Sequence, residues 1–277
     1  MMKDRIAFRA RVEAYLQGLD EHALAYNKDD YWMIFSVYEF LEYYSFEHRL
    51  WNTCIALPLS RGLHDGTYRR ATVTKNGSVY RLPYVIHCLK VCRMLADLRV
   101  PLPHEEEDIL LAAALCHDML EDLPLSRGGQ ELVDDYHLDP RVLEIVKKVT
   151  KRKDFTEAET AAHFARIEED KLALLVKLSD RSHNVEDLYN MSVEKVHEYV
   201  QETRRYVLPM CEYGFAHYPE LSSAIGVLKD KLQCLTETAE TMVDHYEIRE
   251  LELRRQLKEL RAENTRLFTR LNQLWER

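Results

Sequence analysis

The sequence predicts an all-α protein that carries one small inserted β-hairpin and ends in a coiled-coil helix. Three observations lead there. Glycine and proline are scarce, at 8 each in 277 residues, while apolar residues make up 46% and recur at helical spacing. Strand and helix patterns do not alternate, which excludes a doubly wound sheet. Leu253, Leu260, Leu267 and Leu274 fall every seven residues, a coiled-coil seam.

The elements follow in order. Residues 4–26 set charges against Ile6, Val12, Leu16, Leu19 and Ala23, an amphipathic helix. Asp29-Asp30 offers an N-cap to an aromatic-rich helix over Tyr31–Tyr44, whose aromatics are expected in the core. A third helical run covers Phe46–Leu63 and stops at the turn His64-Asp65-Gly66. Residues 68–74 and 78–81 are β-prone and flank Lys75-Asn76-Gly77, and Asn-Gly between such runs signals a hairpin. Pro83 opens a helix from Tyr84 to Leu98 that carries His87. The next helix begins at His104–Asp108 and ends in the His117-Asp118 pair, Gly128-Gly129 break the loop after it, and further helices cover about 130–136, 140–152, 157–170 and 171–184. More helices run to about 245, broken at Pro209 and Pro219. This predicts an N-terminal helical extension over 1–45, a catalytic helical domain over 46–245 and a zipper over 246–277.

In the zipper, Leu is at d, Leu257 and Leu271 are at a, and a single Asn264 also occupies a. Such an Asn can pair with its own copy across a two-fold axis and fix the register, so a parallel homodimer through residues 246–277 is expected. Glu250 at an a position weakens the upstream end. The segment before the heptads, TMVDHYEIRELELRR, is no basic region, which excludes a zipper-type DNA-binding protein. A formal charge of −9 also argues against a nucleic-acid partner held through phosphates. No stretch approaches the ~18 apolar residues of a membrane span, and the N-terminus has no apolar signal core. The six cysteines show no CxxC pair, as in a reducing compartment, so a cytoplasmic protein is expected.

The chemistry centres on Leu110–Asp122, which reads LLAAALCHDMLED. An apolar run leads into His117-Asp118, and helical periodicity sets Glu121 and Asp122 on the same side as that pair. Three carboxylates and an imidazole at the end of a buried helix repel one another and lose solvation, and a cation relieves both. His87 and Asp180 also lie at or near polar ends of apolar helices, so packing of three helices would bring His87, His117, Asp118 and Asp180 together. Two imidazoles and two carboxylates suit Mn²⁺, Fe²⁺ or Zn²⁺ better than Ca²⁺. Glu121 and Asp122 would then orient or deprotonate an attacking water.

Five stretches taken together resemble the HD-domain phosphohydrolases, specifically the hydrolase domain of the RelA/SpoT alarmone family. They are His64-Asp65-Gly66-Thr67-Tyr68-Arg69, Pro83–His87, Leu115–Asp122, Val149-Thr150-Lys151 and Lys177–Asn184, in order over roughly residues 50–200. The resemblance implies an all-helical HD-domain bundle and Mn²⁺ held by His87, His117, Asp118 and Asp180. It implies a small-molecule nucleotide substrate, (p)ppGpp, whose 3′-pyrophosphate is hydrolysed to leave GDP or GTP. Glu121 and Asp122 match the water-activating pair, and Arg69, Asn184 and Lys151 match substrate-binding positions, with Arg69 against the guanine base.

Two features depart from the family. The hairpin of 70–82 replaces a short turn, and Val185-Glu186-Asp187-Leu188 stands where Met-Arg-Thr-Leu is usual. Glu186 and Asp187 are expected to repel a phosphate, so another nucleotide or phosphoester is the alternative substrate. A catalytically idle, nucleotide-binding HD scaffold is the other alternative. The length after residue 200 suits helices and a zipper rather than a synthetase domain.

Overall fold

A computed structural model describes residues 2–19, 28–122, 125–152, 154–188 and 191–275. The side chains of residues 2–5, 28, 70–73, 122 and 270–275 also lie outside the described set. Helix α1 (Met2–Gln17) packs with α2 (Tyr31–His48) and α3 (Trp51–Leu63) through aromatic edges, Phe8 meeting Phe46 and Trp51 at ring-centre distances of 6.4 and 6.2 Å. The part of the expected first helix beyond residue 19 falls largely on residues outside the described set.

The N-terminal helices differ from expectation in three respects. Asp30 precedes α2 without capping it, because its carboxylate instead accepts the Tyr68 hydroxyl at 2.7 Å. The aromatics of α2 divide between core and surface: Tyr38 is buried, whereas Trp32, Phe35 and Tyr43 are exposed. The single run expected over 46–63 is two helices. Arg49 takes a left-handed conformation (φ 58°), and the Leu50 amide returns to the Ser45 carbonyl at 2.9 Å, which closes α2. The new N-terminus of α3 is then capped from another helix. Buried Asp108 accepts from the Asn52 and Thr53 amides at 2.9 and 2.8 Å.

Strands β1 (Tyr68–Lys75) and β2 (Ser78–Pro83) form the expected hairpin, with Val73 opposite Tyr80 and Lys75 opposite Ser78. Asn76 (φ 52°) and Gly77 (φ 79°) both have positive φ, as a two-residue I′ turn requires. Lys75 lies over the Trp32 ring at 3.7 Å, which ties the hairpin to α2.

The core is built on α3, α4 (Val85–Leu98), α5 (His104–Cys116) and α10 (Lys171–Glu186). Residues 110–116 of α5 and 172–183 of α10 are buried all round, which marks both as central helices. Around them lie α6 (Met119–Asp122), α7 (Glu131–Asp134), α8 (Pro140–Val149), α9 (Glu157–Glu168), α11 (Val193–Glu202) and α12 (Leu208–His217). Asp170 caps α10 by accepting from the Leu172 and Ala173 amides. All six cysteines are unpaired, and five are buried.

The last helix, α13 (Ser222–Trp275), is continuous for 54 residues. Its first half buries Ile225, Leu228, Leu232, Thr236, Ala239 and Val243 against the domain. From Tyr246 onward the apolar residues are exposed, including Leu253, Leu257, Leu260 and Leu267. The a/d register expected from residue 253 extends upstream through Val243, Ala239, Thr236 and Leu232, where the domain itself covers it. Leu271 and Leu274 belong to the seam, but their side chains lie outside the described residues.

Candidate active site

Three helix segments converge on one point. Helix α4 brings His87, the end of α5 brings His117 and Asp118, and the middle of α10 brings Asp180. His87 Nε2 lies 3.1 Å from His117 Nε2, 3.3 Å from Asp118 Oδ2 and 3.2 Å from Asp180 Oδ1. His117 Nε2 lies 3.3 Å from Asp118 Oδ2 and 3.6 Å from Asp180 Oδ1. His87, His117 and Asp118 each offer a donor atom within 4.8 Å of the other two. Metal–ligand bonds of about 2.0–2.2 Å set neighbouring donors ~3 Å apart, so these spacings fit one ion.

The hydrogen-bond pattern suits that role. The Ala114 carbonyl lies 2.8 Å from His117 Nδ1 and accepts its proton, which aims the Nε2 lone pair at the cluster. The same contact corrects the expected geometry around the His-Asp pair. In an unbroken helix Ala114 O would accept from the Asp118 amide, but the imidazole takes it, and α5 ends at Cys116. His117 and Asp118 therefore occupy a turn before the short α6, rather than one helical face shared with Glu121 and Asp122. On the other side, His87 Nδ1 faces His183 Nδ1 at 2.8 Å. For His87 to present a lone pair at Nε2, its Nδ1–H must donate to His183, which leaves the His183 proton on Nε2. That buried Nε2 has no partner, and burial pushes the His183 pKa down to about 2, so the ring stays neutral.

Electrostatics bind the cluster together. Burial opposes charge on His117, but Asp118 and Asp180 overcome it and hold the imidazole well above its usual value, so a cation bound at Nε2 would displace a proton from that nitrogen. Burial likewise opposes charge on both aspartates. The two histidines bring Asp118 well below the carboxylate range, and Lys177 with the histidines does the same for Asp180. Tyr84 donates its hydroxyl to Asp118 at 2.8 Å, and Lys177 donates to Asp180 at 2.8 Å.

His117, Asp118 and Asp180 of the cluster line a cleft of about 510 Å³, together with Glu121, Lys151, Lys177, Asn184, Tyr199 and Glu202. Glu121 stands exposed at the lip and accepts from the Lys151 amide at 2.6 Å. Partial desolvation at the cleft edge raises its pKa in spite of that bond. The side chain of Asp122 lies outside the described residues.

Of the expected substrate-binding residues, Lys151 and Asn184 line the cleft and Arg69 does not. Arg69 is buried behind Asn184. It donates to Asn184 Oδ1 at 3.0 Å and pairs with Asp187 at 3.0 Å, while Asn184 donates to Asp180 at 2.5 Å. The expectation that Glu186 and Asp187 face a phosphate is thereby overturned. Asp187 is taken by Arg69, Glu186 by Lys231 at 2.5 Å, and neither lines the cleft. Sequence reasoning missed Lys177 and His183, although each sits three residues from Asp180 on α10, a spacing that marked them as neighbours. It also missed Glu202, for which no local signal exists.

Comparison with known proteins agrees with this geometry. Residues 84–185 match the HD domain, and that span contains all four clustered His and Asp residues. The chain is 31% identical over 137 residues to a guanosine-3′,5′-bis(diphosphate) 3′-pyrophosphohydrolase of Vibrio cholerae, covering 46% of this chain and 18% of the relative. It is 27% identical over 166 residues to the Haemophilus influenzae protein of the same name, covering 57% and 22%. A GTP pyrophosphokinase of Brucella abortus is 32% identical over 147 residues, covering 49% and 18%. The chain thus spans about a fifth of the length of these relatives. It is similar to the HD domain over residues 84–185, and over about half its length to proteins of the RelA/SpoT alarmone family.

Proposed function

We propose that this chain is a metal-dependent phosphohydrolase that removes the 3′-pyrophosphate of (p)ppGpp, yielding GDP or GTP and pyrophosphate. The observation that carries the reading is the His87, His117, Asp118 and Asp180 cluster, three of whose members open into a cleft that lysines and arginines also line. The activity for which the Vibrio and Haemophilus relatives are named supports the substrate. When bound, a divalent ion, Mn²⁺ for this substrate class, supplies Lewis acidity toward phosphoryl oxygen and acidifies water. The chain supplies the rest. Glu121, with its raised pKa, accepts the proton of the attacking water together with Asp122. Lys151 and Asn184 hold the substrate against the cluster, and Lys177 keeps Asp180 ionised and oriented.

One observation favours a second substrate. Arg69 is engaged by Asn184 and Asp187 and stands out of the cleft, so base recognition by this arginine needs those contacts to open. The test is a nucleotide panel incubated with Mn²⁺-loaded protein, with products separated by chromatography. Release of pyrophosphate from ppGpp is expected. Intact ppGpp beside cleavage of another nucleotide moves the reading to that substrate, and no turnover of any nucleotide supports a binding scaffold.

The exposed seam of α13 is read as the interface of a homodimer. Among the described residues no helix is long and apolar enough to cross a membrane. The unpaired cysteines fit a reducing, cytoplasmic setting.

A further inference from the structure

The cleft wall beside the metal cluster carries five cations, Lys151, Arg152, Lys177, Arg181 and Lys195. Three of them have a carboxylate of their own: Lys177 pairs with Asp180 at 2.8 Å, Arg152 with Asp154 at 2.8 Å and Lys195 with Glu198 at 2.6 Å. The remaining two share one. Glu202 offers Oε2 to Lys151 Nζ and Oε1 to Arg181 Nη2. Arg181 is 5% exposed, and its Nε is buried with no hydrogen-bond partner. The pair therefore holds one more positive charge than its carboxylate cancels, and one donor is unspent.

The bridge is tightly made. Burial opposes charge on Glu202, yet Arg181 and then Lys151 outweigh it and bring the pKa down to about 2. A carboxylate spanning a lysine and an arginine is a minimal anion for that seat. A phosphoryl group matches it better, because it brings a third oxygen for the idle Arg181 donor and up to two charges. Arg181 directly follows Asp180 on α10, so the seat adjoins the metal cluster.

The element that supplies Glu202 is lightly anchored. Among the residues of α11 only Val196 and Val200 are buried, and Glu202 is its last residue. A π-helical stretch, Thr203–Val207, follows directly, a wide turn of the kind often found at functional sites.

We propose that Lys151 and Arg181 form an anion seat beside the metal cluster, and that Glu202 fills it as an internal stand-in which a phosphate group of the ligand displaces. The location of the substrate rests on the phosphohydrolase reading, whereas the seat itself rests only on these contacts. Displacement frees the carboxylate of α11, so ligand binding loosens that helix while it fills the seat.

The test uses inorganic pyrophosphate and the full-length protein kept metal-free with chelator, so that neither turnover nor the metal enters the measurement. By calorimetry, Glu202→Gln binds pyrophosphate at least tenfold more tightly than the unaltered protein, and adding Lys151→Met removes the gain. Unchanged or weaker binding by Glu202→Gln overturns the proposal, as does a gain that survives Lys151→Met. A second measurement needs no variant: pyrophosphate speeds amide hydrogen exchange in Val193–Glu202 of the unaltered protein. Exchange that is unchanged or slowed there overturns displacement. Tight pyrophosphate binding in a protein that hydrolyses no nucleotide leaves the seat standing and removes only the phosphohydrolase reading.

Discussion

The helical core and the distal half of α13 invert each other's chemistry. In the core, two imidazoles and Asp180 are packed where apolar side chains belong, and half-buried Asp118 joins them from the cleft. In the tail, leucines are set out in water where charges belong, Leu260 being 63% exposed. Each placement is costly in the isolated chain. Buried charges lose hydration, and a contiguous apolar stripe loses the gain of burial. The core offsets part of its cost internally, through Lys177, Tyr84 and the His183 relay. No covering surface meets the tail's stripe among the described residues. Under the proposed readings each cost has its own relief, a bound cation in the core and a second copy of the helix along the tail.

The largest effect should come from the core. Asp118→Ala removes a carboxylate that both imidazoles face, and breaking a buried charged set typically costs about 3–5 kcal/mol. Metal titration should show loss of high-affinity binding, and the melting temperature should cease to rise with added Mn²⁺. Unaltered metal affinity would mean that the cluster is a structural ion-pair network after all.

Next in size is deletion of the chain after residue 246. Val243 is the last buried residue of α13 among those described, so this truncation should leave the metal site and the fold intact while shifting sedimentation from dimer to monomer. A truncated protein that is still dimeric would place the join elsewhere and dissolve the contrast between the regions.

The smallest effect is an acid shift at the edge of the core. Glu202 has a folded pKa of about 2 against an ordinary 4.5. A depressed carboxylate stabilises the fold above its unfolded value, and that contribution fades as pH falls through the folded value. Urea melts between pH 5 and about 2 should therefore lose up to about 3 kcal/mol in the unaltered protein that Glu202→Gln does not lose. Equal acid slopes would show that the Lys151–Glu202–Arg181 bridge contributes nothing to stability.

Much of the site was legible in local sequence. The His117-Asp118 pair announced itself because charged residues closing an apolar run are expensive without a ligand. His87 and Asp180 were found by the same polar-end argument, although 30 and 62 residues separate them from the pair. The geometry of the pair is not legible in the sequence, because periodicity extrapolates a helix through residue 117. It cannot see an imidazole capturing the carbonyl that the next turn needs. The acids Glu186 and Asp187 looked hostile to phosphate in sequence, since their partners, Lys231 and Arg69, lie far away along the chain.

By itself the sequence determined the helices, the Asn-Gly hairpin, the residue types of the metal cluster and the a/d register of the last helix. These follow from local sterics and from spacings of three, four and seven residues. Only the tertiary structure decided which half of that register is covered. Leu232, Thr236, Ala239 and Val243 obey the same heptad as Leu253, Leu257 and Leu260, yet the first four are buried and the last three exposed. It also decided that Glu202 closes on Lys151 and Arg181. Periodicity specifies which face of a helix seeks cover, but the cover and the counter-charge come from residues that only folding brings near.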